Sequence, residues 1–118
     1  MPHIVLKGAV DLRAVFEGRR PLMVRLPGGV LKTEGAYIDR DARAILVEAL
    51  AIEGPSRTRF LAMLGARDDG LVARLYPGRD VPKTDGVKRV LAELAKAVMA
   101  AHPGLIVGET NLSELLGP

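Results

Sequence analysis

From Val87 to Ala101, apolar residues recur at steps of three and four: Val87, Val90, Leu91, Leu94, Val98 and Ala101. That spacing draws one stripe down an α-helix. Lys88, Arg89, Glu93 and Lys96 fall on the other side. Arg89 and Glu93 stand four apart and Glu93 and Lys96 three apart, so each pair can add a few tenths of a kcal/mol. His102 lies in the last turn, and Pro103-Gly104 ends the helix.

Upstream the rhythm shortens. His3 to Lys7, with Ile4, Val5 and Leu6 at its centre, predicts a first strand. Asp11 is placed to cap a short helix whose apolar side is Leu12, Val15 and Phe16, ended by Gly18 or Pro21. From Leu22 the chain runs as short apolar segments broken by turn residues: Leu22–Leu26, Val30–Ile38, Arg43–Glu53, Arg59–Ala66 and Leu71–Tyr76. Connections this short cannot cross over between parallel strands, so the five segments predict an antiparallel meander. Asp69-Gly70 suits the positive φ angles of a two-residue type I′ turn. In the tail, a brief strand precedes Asn111 and Glu114 at capping-box spacing, and Leu115 and Leu116 are placed to cover a core edge.

The expected fold is therefore α+β: an antiparallel meander of about five strands packed against one long C-terminal amphipathic helix, with an N-terminal strand and a short helix. Residues 1–118 form a single domain. The element order resembles helix-grip and TATA-binding-like half-domains in architecture, without a shared motif, and implies no function.

Composition narrows the chemistry. With 118 residues and a 48 % hydrophobic fraction, the chain can build a core without staples. Cysteine is absent, which removes disulfides, thiolate zinc sites and thiol catalysis. No basic-then-apolar leader opens the sequence and no run approaches the ~20 apolar residues of a membrane span. The expectation is a cytoplasmic protein with no membrane partner. Gln is missing and Asn occurs once, while charges are plentiful, a bias that suits a thermostable protein.

The densest candidate chemistry lies at the entrance to the long helix. Arg79, Lys83, Lys88 and Arg89 gather around Thr84 and Gly86, where unpaired helix N–H groups attract an anion. The spacing is not that of a phosphate-binding P-loop, which needs a second glycine before the lysine. Thr84 or Asp85 can also cap the helix and satisfy those donors internally. Glu48, among Leu46, Leu50 and Ile52 on one face of its strand, is a candidate buried acid, with Arg25 and Arg74 able to compensate it from neighbouring strands. No second catalytic group converges on it by sequence, so no catalytic residue is assigned. His3 and His102 lack partners at metal-ligand spacing, and no metal or cofactor is assigned.

The opening Met1-Pro2 resembles small tautomerases, in which a proline amine exposed by methionine removal acts as the base. That resemblance implies Pro2 as base, with arginines binding an acidic substrate. It covers only Pro2 and the first strand, and a meander departs from that family's paired β-α-β units. The net charge of +3 is weak, the arginines alternate with acids, and four aromatics (Phe16, Tyr37, Phe60, Tyr76) show no clustering. Nucleic-acid binding is therefore not favoured. The expected role is non-catalytic: binding an unknown small molecule or protein partner, or forming a homo-oligomer. Arg43–Glu53 is apolar on both faces, and its second face can be buried against another copy.

Overall fold

A computed structural model describes residues 1–117. The elements are β1 (His3–Lys7), α1 (Leu12–Glu17), β2 (Met23–Leu26), β3 (Gly29–Ile38), β4 (Ala44–Glu53), β5 (Ser56–Arg67), β6 (Gly70–Leu75), α2 (Asp85–Ala101), β7 (Ile106–Thr110) and a 3-10 turn at Ser113–Leu115. The strands form one sheet in the order β2-β3-β4-β5-β6-β1-β7, with every pairing antiparallel. The meander from β2 to β6 forms as its short turns require. The sheet is nevertheless larger than five strands, because both terminal segments extend it at the β6 edge. It curls into a half-barrel.

Alternation decides which side chains point inward. Ile45, Val47, Ala49 and Ala51 of β4 share the inner face with Leu31, Phe60, Ala62, Leu64, Leu71 and Ala73, all buried. The stripe of α2 lies on that face: Val87, Leu91 and Ala95 are fully buried, and Val90, Leu94 and Val98 nearly so. Ala101, expected to end the stripe, is exposed. Both ion pairs foreseen on the outer side form, Arg89–Glu93 at 3.8 Å and Lys96–Glu93 at 3.1 Å.

The position of α1 follows from topology. β1 sits near one edge of the sheet and β2 forms the other, so the chain must traverse the sheet between them, and it does so against the inner face at β3 and β4. Asp11 caps α1 by accepting from the Arg13 N–H at 3.0 Å, and Gly18 closes it.

Two turns differ from expectation. The β5–β6 loop is Asp68-Asp69, not Asp69-Gly70, with Arg67 paired to Gly70. Positive φ falls on Gly70 and on neither aspartate, so the turn is not type I′. Two consecutive side-chain-bearing residues would each carry a left-handed cost of roughly 1 kcal/mol or more, which this placement avoids. In the tail, Asn111 caps nothing. Its Oδ1 accepts from the His3 N–H at 3.0 Å and its Nδ2 donates to the Met1 carbonyl at 2.8 Å, clipping the end of β7 to the start of β1. Leu115 and Leu116 do pack against the core edge.

Inner-face burial carries the stability. Leu91→Ala removes a fully buried side chain and should cost about 2–5 kcal/mol in urea denaturation. Ile106→Ala, at a side chain 66 % exposed, should change stability by less than about 0.5 kcal/mol.

Candidate functional site

The entrance to α2 is occupied by the protein's own carboxylate. Glu53, the last residue of β4, accepts from the Gly86 N–H at 2.7 Å through Oε1 and from the Thr84 hydroxyl at 2.7 Å through Oε2. Thr84 is the N-cap, and its Oγ1 also accepts from the Val87 N–H at 3.2 Å. A helix beginning Thr-Asp-Gly-Val carries no Glu or Gln at its third position to complete a capping box. Glu53 brings a carboxylate to that turn from a distant strand, and takes the Gly86 N–H where a capping-box acid would take the Thr84 N–H. Gly86 permits the approach: a Cβ there would lie 2.5 Å from the Glu53 carboxyl carbon, and its three nearest neighbours would all be Glu53 atoms.

The six residues considered for anion binding consequently divide. Thr84 and Gly86 face Glu53, which takes the hydrogen bonds an external anion would use. Arg89 pairs with Glu93. Arg79 lines a separate polar hollow of about 410 Å³ with Arg59, Tyr76 and Asp80. Lys83 is exposed ahead of the cap, and Lys88 is half-buried on the first turns of α2.

Glu48 lies on the sheet's second face, half-buried, where its Oε1 accepts from the Tyr37 hydroxyl at 3.1 Å. That hydrogen bond, together with the negative charge behind it, raises the Tyr37 phenol above its ordinary value. Gly35 leaves room for the carboxylate, since a Cβ at that position would collide with Glu48 Oε1. Neither Arg25 nor Arg74 pairs with Glu48 among the described residues. Pro2 is buried and lines neither the polar hollow nor the larger cleft described next.

That larger cleft, of about 770 Å³, opens at the other end of α2. One wall is the C-terminal half of the helix, with Leu94, Ala97 and Val98. The opposite wall is α1 and the segment after it, with Val15, Phe16 and Leu22. The floor is the inner face of β3, β4 and β5, including Ala36, Val47 and Leu64. Thr33 is the polar residue in this floor, and its hydroxyl accepts from the Leu22 N–H at 2.8 Å. Arg19, Arg20, Glu34 and His102 also line the cleft. Glu34 is held by Arg59 at 2.7 Å, and Arg19 folds back to donate to the Phe16 carbonyl at 2.6 Å. Among the described residues, no three His, Asp or Glu side chains come together as a metal site, and no helix is long and apolar enough to cross a membrane. The cleft's individual apolar residues were legible as core, but an opening between them depends on how far apart two helices sit, which periodicity does not encode.

No protein-family model, curated protein or solved structure matches this chain.

The internal cap makes a signed prediction. Hydrogen bonds to a charged partner contribute about 1.5–3 kcal/mol, so Glu53→Ala should lower the unfolding free energy by about 2 kcal/mol. Gly86→Ala should destabilise the wild-type chain although alanine is the better helix former by up to about 1 kcal/mol. In the Glu53→Ala background the same change should become stabilising. A double-mutant cycle by urea denaturation checks this, and additive effects would contradict the assigned contact.

Proposed function

We propose that this protein is a non-catalytic binding domain that takes a small, largely apolar molecule into the cleft between α1, α2 and the inner face of the sheet. The observation that carries the reading is the cleft itself: about 770 Å³, walled mainly by aliphatic side chains, with Arg19, Arg20, Thr33 and His102 as the polar residues beside it. Its size lies in the range that encloses drug-sized ligands, and an apolar lining with a few polar groups is the usual form of such sites.

An enzyme reading needs a nucleophile or base oriented by a second group and facing a space for substrate. Glu48 shares the second face with Tyr37, away from the cleft, and Pro2 is buried behind the Asn111 clip. Thr33 already uses its hydroxyl to hold Leu22. These positions favour binding over catalysis.

Titration of isotope-labelled protein with dodecanol tests the reading. Amide shifts should saturate and concentrate at Val15, Phe16, Leu94 and Val98. Ala97→Trp, which places a large ring in the cleft from an exposed helix position, should abolish them while the fold persists. Shifts confined to the second face of the sheet, or none that saturate, would contradict the proposal.

A further inference from the structure

Resting on the binding reading above, we infer that the occupant of the cleft is an anionic amphiphile: an apolar chain lying over the sheet, with a carboxylate-like head at Arg20. The charges at the cleft carry the argument. Four ionisable residues line it, namely Arg19, Arg20, Glu34 and His102. The carboxylate of the one acid is turned to the second face of the sheet, where Arg59 binds it at 2.7 Å and Lys32 approaches at 4.0 Å.

The cations differ in how they are used. Arg19 donates to the Phe16 carbonyl, and its guanidinium carbon lies 3.9 Å from the Phe16 ring centroid, so it forms part of the wall. Arg20 is exposed beside it and enters no ion pair among the described residues. The C-terminus of α2 contributes a partial negative charge of roughly half a unit, less than the two full charges of the adjacent arginines. The local balance is positive, above an apolar floor. A guanidinium in that setting matches a carboxylate through paired, charge-assisted hydrogen bonds.

The floor is built from the inner faces of β3, β4 and β5, with Ala36, Val47 and Leu64 offering apolar contact. A single-tailed small molecule requires only apolar contact and one charged anchor, which is what the cleft offers.

Calorimetric titration with dodecanoate and dodecyltrimethylammonium below their micellar concentrations, and with dodecanol below its solubility limit, tests the assignment. Dodecanoate should bind about tenfold more tightly than dodecanol, a difference of about 1.4 kcal/mol. Arg20→Ala should remove that preference by weakening dodecanoate about tenfold, while Arg20→Lys should retain most of it. Arg20 is exposed, so neither change threatens folding. Equal affinity for acid and alcohol, or tightest binding of the ammonium compound, would overturn the anionic assignment while leaving the cleft as a binding site. Failure of all three to bind would overturn both readings. A wild-type dimer in sedimentation that Ala97→Trp converts to monomer would seat a second copy in the cleft and would equally overturn the inference.

Discussion

The fold depends on a helix held at one end by a carboxylate that belongs to the sheet. Glu53 closes β4 and accepts hydrogen bonds from Thr84 and Gly86 at the first turn of α2. Those groups carry the helix's partial positive charge, so the contact combines hydrogen bonding with a favourable charge–dipole arrangement. It fixes where the helix starts relative to the strands. The apolar stripe then settles along the inner face, with Val87 and Leu91 fully buried close to the anchor. Farther on, α1 comes across the sheet and shares the same face. Between α1 and the C-terminal half of α2 the inner face is left open, and that gap is the cleft.

The second face solves a different problem. Leu50 points away from the helix yet is 0 % exposed. Its cross-strand neighbours are Lys32 on β3 and Arg59 on β5. The 2.7 Å bond between Arg59 and Glu34 joins strands on either side of β4, so it must pass over that strand's outer surface. The long aliphatic stems of arginine and lysine cover apolar surface while their charged ends stay in water. The pair is exposed enough that its Coulombic contribution is small. Its arrangement explains how a strand apolar on both faces can stand in a sheet whose other side carries no helix.

Much of the architecture was legible in the sequence because it rests on short-range periodicity. The 3.6-residue stripe marked α2, alternation and tight turns marked β2 to β6, and Asp11 and Gly18 marked the limits of α1. What escaped the sequence involves partners far apart along the chain. Glu53 and Gly86 are 33 residues apart, and Asn111 meets Met1 across 110. No local pattern encodes either contact. The pairing of β1 with β6 and of β7 with β1 likewise joins segments far apart along the chain. At the candidate site, the cations near the helix entrance were visible, but the carboxylate filling it was not. The cleft was visible only as its separate apolar residues.

Native-state hydrogen exchange along α2 tests the central claim most directly, because it reads how firmly each turn is held. If Glu53 anchors the entrance and the core packs tightest beside it, amides from Val90 to Ala95 should exchange only through global unfolding. Those from Val98 to Ala101, beside the cleft, should open at a free energy lower by about 1 kcal/mol or more. Substituting Glu53 should erase the difference by loosening the first turns. Protection that is weaker at Leu91 than at Val98 in the wild-type chain would contradict the account.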